Sequence, residues 1–431
     1  METVLIGGGL LLIAISRKSL ISAFGVLIFS IFIWPEFLRF PVGPIQMSVP
    51  RLLAIAILIK AFTVKTEGKV SLNIVDFFVF VGWFWTVIAN IIVEAEFYQL
   101  SQMIGRFFDT VLIYYVAKIV FQKESNYKNL YFWLALTAIS MAIAGIYEAV
   151  TWSSPYHVFN SGEARISGYS EIRYGFLRAS ASTQQSIYFG LAMVFIVGFI
   201  WGYKSIIVSS TLTRFVFISS NVACLTSLSS GPWLGLLVFW SITVFYYYPR
   251  LIKPALILLL LLIISIELLS NRHFYNLIDY FAIDKRTAWY RTRLLEVAVE
   301  HLHEYALFGY GSYKPHHWTA MIDDRDHIDI VNHYILIVTY GGLFALFTYI
   351  ASHYYAIKYA IKFLMLGPAT NLKRLVFSCV AIIISLDFSS MSVGLFGPPL
   401  ILSHIVLGMV VGIVHHGKWV YEKHTTKRNN I

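Results

Sequence analysis

The densest run of ionisable side chains in this sequence is DDRDHIDIVNHYILIVTYGG, Asp323 to Gly342, which passes straight into an apolar stretch. If a helix begins before the apolar part, Asp329 and His333 are four residues apart and share a face. A carboxylate beside an imidazole fixes its tautomer and raises its basicity, as a general base requires. The plainer reading has Asp329 serving a helix N-terminus, where its charge suits the dipole.

Arginine is the second chemical signal. Of the 33 Lys and Arg residues, 20 fall in short gaps after alternate apolar stretches, and only five of those are Arg. Eleven of the other 13 are Arg: residues 39, 51, 106, 165, 173, 178, 272, 286, 291, 293 and 325. Topology alone would be served equally by Lys. Arg adds a planar fork that grips phosphate or carboxylate bidentately. That face is therefore expected to meet an anion.

Two stretches carry most of these arginines. In EARISGYSEIRYGFLRASASTQQSIYFG, Arg178 stands about one turn before the next apolar run. Small residues follow it, then Gln184, Gln185 and Tyr188 offer polar and aromatic surface of the kind sugars prefer. The structural alternative makes Arg178 an interfacial residue that snorkels. In RTAWYRTRLLEVAVEHLHEYALFGYG, Leu295, Ala298, Leu302 and Tyr305 recur at helical spacing, which predicts an amphipathic helix at a membrane surface. Arg291 lies on its apolar face and calls for an anionic partner, whereas Arg293 is spaced to pair with Glu296.

Seven of 13 histidines lie between residues 273 and 333. Their spacing fits no zinc signature, and Asp324-Arg325-Asp326 only resembles the Asp-x-Asp of metal-dependent glycosyltransferases. No metal and no cofactor is expected.

The elements that must carry these residues are membrane spans. Of 431 residues, 58% are hydrophobic and 13% charged, against about 25% charged in soluble domains. Apolar runs near 3–16, 19–37, 47–63, 73–93, 98–120, 129–151, 182–202, 211–229, 232–248, 252–269, 332–356, 372–389 and 395–415 predict an all-α polytopic membrane protein in a lipid bilayer. The count is 12 or 13, depending on whether the short first run crosses. Residues 1–431 read as one integral domain with two long external loops, 153–181 and 270–331. The net charge of +10 then reflects the positive-inside rule and not nucleic-acid binding. The two cysteines fall inside spans and read as packing. Charges inside spans are few: Arg106 and Asp109, spaced to pair along one helix, Glu148 and Asp387.

Four stretches together resemble the O-antigen ligase and polymerase family of bacterial inner-membrane proteins. They are RASASTQQSIYFG, TSLSSGPWLGLLV, YRTRLLEVAVEHLHEYALFGYG with its Phe308-Gly309-x-Gly311 close, and NHYILIVTYGGLFAL. The sequence departs from the family at Ser230, where arginine is common, and at Val331, where many members carry histidine; others place it just after the asparagine, as His333 stands, and His327, four residues before Val331, is its rival. The resemblance implies a glycosyltransferase acting on an undecaprenyl-diphosphate-linked oligosaccharide, in the inner membrane with its site facing the periplasm. It maps the family's two essential loop arginines onto Arg178 and Arg291. With His333 and Asp329 these form the expected catalytic set. Arg165, Arg173, Gln184, Gln185, Tyr188, Arg293, Tyr310, His327 and Tyr334 form the expected substrate-binding set. A polysaccharide chain-length regulator is a further partner the family implies. Polymerisation of repeat units with inversion is the leading reading, and ligation to lipid A-core or protein is the alternative. A lipid-linked oligosaccharide flippase would need charges lining a central cavity.

Overall fold

The computed structural model describes residues 2–64, 70–93, 97–123, 127–159, 172–206, 210–269, 285–311, 315–322, 328–367 and 371–429. Arg165, His273, Asp324, Arg325, Asp326 and His327 lie outside them. Helices α1 to α11 span Glu2–Ser16, Leu20–Ile33, Val49–Thr63, Ile74–Val93, Phe97–Phe107, Ile113–Lys123, Lys128–Thr151, Ser186–Tyr203, Ser210–Leu225, Ser230–Tyr247 and Ile252–Leu269. Six more follow: α12 Lys285–Glu300, α13 Leu302–Tyr305, α14 Thr319–Ile322, α15 His333–Leu366, α16 Leu372–Ser390 and α17 Gly397–Asn429. Two short hairpins, β1 (Phe40–Val42) with β2 (Ile45–Met47) and β3 (Ile172–Arg173) with β4 (Phe176–Leu177), are antiparallel.

Each apolar run contains a helix, and among the described residues six helices are long and apolar enough to cross a membrane. They include α4, α7, α8 and α15, the stretch Pro249–Leu268 and the Gly397–His415 part of α17. The molecule is accordingly a helical protein of the membrane. Its core is apolar side chains of α2, α6, α8, α16 and α17 packed together. Where α6 meets α17, Gly408 and Gly412 form a Gly-x-x-x-Gly stripe that lets the backbones close up; a Cβ at Gly412 would stand 2.6 Å from Lys118 O.

Interior charge is more extensive than the sequence reading allowed. Arg106 does not pair with Asp109. Instead Arg51 reaches across from α3 and grips Asp109 with two N–H···O contacts of 2.8 and 2.5 Å. Asp109 sits in a π-helical turn, Phe108–Leu112, whose extra residue turns its carboxylate toward α3 and away from Arg106. Lys118 is not a solvated loop lysine: it is wholly buried and bonded to Asp76 at 2.5 Å. Asp76 also accepts from the Tyr114 hydroxyl at 2.7 Å and from Asn73 N at 2.6 Å, as the returning half of a capping box that starts α4. Arg51 and Arg106 thus belong to the bundle interior and not to a loop face.

Basic residues at one end of the bundle cap helix carbonyls: Lys60 bonds Ile15 O at 2.9 Å and Lys373 bonds Leu364 O at 2.9 Å. The opposite end gathers the described parts of both long loops with the turn at residues 391–396.

Candidate functional site

The turn between α16 and α17 organises this end. Asn332 caps α15, accepting from Tyr334 N and Ile335 N at 3.0 and 3.2 Å, and donates its amide to Met391 O at 2.9 Å. His333 therefore begins the helix and is not on a helical face with Asp329, because residues 328–332 are not helical. The expected Asp329–His333 pair does not form. His333 is 5% exposed and its Nδ1 accepts from Leu395 N at 3.2 Å. With Nδ1 engaged as an acceptor, the neutral ring carries its proton on Nε2. In this arrangement the ring offers a donor at Nε2.

Around it stands a network from neighbouring helices. Tyr349, whose ring is 5.4 Å from that of His333, donates to Asp387 Oδ1 at 3.1 Å. Tyr334 donates to Asp387 O at 2.8 Å, and His353 Nε2 lies 3.6 Å from Asp387 Oδ1. Tyr334 is thereby engaged in the bundle.

Arg178 is delivered by the β3–β4 hairpin. Tyr174 and Gly175 both take positive φ (54° and 80°), the signature of a type I′ turn that sets the two-residue loop. Arg173 donates to Leu228 O and Arg178 to Ser229 Oγ, at 2.8 and 2.7 Å. The turn after Arg178 is held from below by Glu148, a buried carboxylate accepting from Ser180 N and Ala181 N at 3.2 and 2.7 Å. That explains the small residues at this point: Ala179, Ala181 and Ser182 are buried against the core. Gln184 and Gln185 stay exposed. Glu36 accepts from Gln184 N at 3.1 Å, and Glu36 and Asp329 are the acidic groups within electrostatic reach of Tyr188.

The second loop joins from above. The predicted amphipathic helix is α12, with Leu294, Val297 and Ala298 buried and Leu295 only half-buried. Arg291, one turn before Leu294 and Leu295, is on this inward side and half-buried. Its neighbour Tyr290 donates to Asp329 O at 2.9 Å and accepts from Asp329 N at 3.0 Å, tying the helix to the segment before His333. Arg293 turns away, bonded to Glu296 at 3.0 Å and to Met321 O at 3.1 Å, as its spacing predicts.

The Phe308-Gly309-x-Gly311 motif has a structural role. α15 breaks at Gly341 and Gly342, the latter at φ 70° and ψ −172°, a conformation open essentially to glycine alone. Into this kink the second loop docks: Tyr310 N donates to Thr339 O at 2.6 Å and Leu343 N to Ala306 O at 2.7 Å. Trp85 of α4 stacks on Phe308 at 5.6 Å and donates to Gly341 O at 2.8 Å. Tyr310 faces Glu304, its hydroxyl 2.6 Å from Oε2. That removes it from the group around His333.

Contacts link the site residues around the 391–396 turn. Gly231, beside Arg178's partner Ser229, abuts Val393; Gly394 abuts Ile330 O; Phe396 lies 6.1 Å from Tyr188, ring to ring. Below this ring of contacts, between α4, α5, α15 and α17, is a largely apolar cavity of about 150 Å³. His333, Tyr349, His404 and Arg106 contribute its polar edge, and the Arg106 guanidinium sits 3.6 Å over the Tyr340 ring. Sequence reasoning passed over Glu36, Tyr290, Tyr349, His353 and His404, whose partners are distant in the chain. The available signal was their polarity inside or beside apolar spans. The chain matches no protein-family model and no curated protein.

Proposed function

We propose that this is a membrane-embedded glycosyltransferase that elongates a surface polysaccharide from oligosaccharide units carried on a polyprenyl diphosphate. The observation carrying this reading is that His333, which lines an apolar cavity, shares the 391–396 turn with Tyr188 and with the chain neighbours of Asp329 and of Arg178's partner Ser229. A substrate half sugar and half lipid needs both surfaces side by side. The loop-end arginines supply the counter-charge: Arg178 from the first loop and Arg291 from the second hold the diphosphate as the bond from the anomeric carbon to phosphate oxygen breaks. An acceptor hydroxyl forms the new bond on the opposite face, giving inversion, and its proton passes to a base.

Asp329 is the better base. It is exposed, its backbone is fixed by Tyr290, and carboxylates serve as the general base in inverting chemistry at the anomeric centre. His333 then stabilises the departing phosphate oxygen through its Nε2 proton. In bacteria the site would face the periplasm, with the lysine-capped end in the cytoplasm.

Transport is the rival that one observation favours, since the interior holds the pairs Arg51–Asp109, Lys118–Asp76 and His353–Asp387. The first two are closed by direct ion pairs and tie helices together, which is a structural use of charge. The deciding experiment is the surface glycan profile of a deletion strain complemented with wild type, Arg178→Ala or Arg291→Ala. Single repeat units with long chains lost support polymerase. Full-length polymer left on the carrier means ligase. Normal glycan from both variants at wild-type protein levels overturns the reading.

A further inference from the structure

The histidine crowd of the second loop matches no linear motif, yet the fold draws two of its members together. His301 Nδ1 lies 2.6 Å from Glu304 Oε1, and His317 Nε2 lies 3.2 Å from Glu304 Oε2. The ligand atoms of the three side chains all fall within 4.8 Å of one another. His301 and Glu304 are one turn apart at α13, whereas His317 comes from a 3-10 turn, His316–Trp318. The fully buried Trp318 floors the group, its ring 6.4 Å from that of His301 and 6.2 Å from that of His317.

We infer that His301, Glu304 and His317 form a binding site for a divalent transition-metal ion of zinc's chemistry, with water in the fourth position. Two imidazole nitrogens and one carboxylate make a set that such ions prefer, whereas magnesium and calcium ask for oxygen ligands. A tetrahedral ion with bonds of about 2.0 Å holds its ligand atoms roughly 3.3 Å apart. The two contacts fall on different Glu304 oxygens, 3.2 Å from His317 Nε2 to Oε2 and 2.6 Å from His301 Nδ1 to Oε1, so the carboxylate and His301 must turn for one ligand atom of each residue to reach that spacing, from within 4.8 Å of one another. The side chains are 22%, 32% and 43% exposed for His301, Glu304 and His317, so an ion can enter from solvent.

The outer shell fits as well. Tyr310 donates to Glu304 Oε2 at 2.6 Å, orienting the carboxylate as outer-shell partners of metal ligands do. Tyr310 is also the residue whose N–H docks on Thr339 O at the α15 kink. An ion here would cross-link α13 to the 316–318 turn beside the segment docked on the α15 kink. The site is independent of the reaction proposed above.

The test uses the full-length protein in detergent, stripped with a chelator and titrated with Zn2+ alone, read by calorimetry and by metal content after gel filtration. Wild type is expected to retain one equivalent and to gain thermal stability from it. His317→Ala and Glu304→Gln should each weaken binding by more than the 10- to 100-fold typical of outer-shell losses, and Tyr310→Phe by about 10-fold. His303→Ala, outside the trio, should bind as wild type does. No retention by wild type, equal retention by Glu304→Gln and His317→Ala, or equal binding of Mg2+ would each overturn the assignment.

Discussion

A single hydrogen bond changes what His333 can do. Because Leu395 N occupies Nδ1, the ring presents a donor at Nε2, and on the proposed reading proton abstraction falls to Asp329. Asp329→Asn should therefore slow chain elongation by on the order of 100-fold or more, the usual loss for a general base. His333→Gln, which keeps a donor, should retain more rate than His333→Ala; the reverse order in a purified elongation assay would restore His333 as base. Glu304 makes a pH prediction in the metal-free protein. Its carboxyl lies at about 2 instead of its ordinary 4.5, chiefly through the Tyr310 hydroxyl. A depressed acid stabilises the fold fully above its unfolded value, and that contribution disappears as pH falls from about 4.5 towards 2. Trp318 fluorescence should follow this transition in wild type and lose it in Glu304→Gln, whose amide does not titrate.

At the scale of elements, the sequence declares spans far better than it declares what they exchange. The apolar runs, the helix around Arg291 and the Arg293–Glu296 pair were all legible, because each depends on residues within a turn or two of one another. Asp109 was misjudged since a π-helical turn redirects it to Arg51, 58 residues away, and no local spacing encodes that. The Asp329–His333 pair failed for a similar reason: Asn332 is the better cap and starts the helix after Asp329. The glycines were visible but their purpose was not. Gly342 is needed both for its positive φ and because Leu307 O lies where a Cβ would be. Gly342→Ala should cost about 1–3 kcal/mol in backbone strain alone. It should also release the 306–311 segment from the kink, so limited proteolysis ought to cut near Leu307, which is 75% exposed, faster than in wild type. Unchanged cleavage and unchanged thermal unfolding would show that the docking does not depend on this glycine.

Across the whole molecule the two basic populations divide by task. Lysines cap helix carbonyls at one end, while arginines at the other reach loop carbonyls and hydroxyls, as Arg173 and Arg178 do. If this division reflects a membrane, the two ends must lie on opposite sides of it. The apolar girdle between them agrees: every residue of the 252–268 stretch is partly or fully exposed, among them Leu256, Ile257 and Leu258, which water would not tolerate as one continuous surface. The native cysteines, Cys224 and Cys379, are both fully buried and will not react with a bulky maleimide, so single introduced cysteines report cleanly. Tyr174→Cys, in the hairpin before Arg178 and 72% exposed in the parent residue, should label in intact cells with a membrane-impermeant reagent. Lys253→Cys, exposed at the start of α11, should label only after the membrane is breached. Labelling of both from outside would remove the sidedness on which the arginine argument rests. Labelling in the opposite order would put the Arg178 assembly in the cytoplasm, where a nucleotide-linked sugar becomes the natural donor in place of a lipid-linked one.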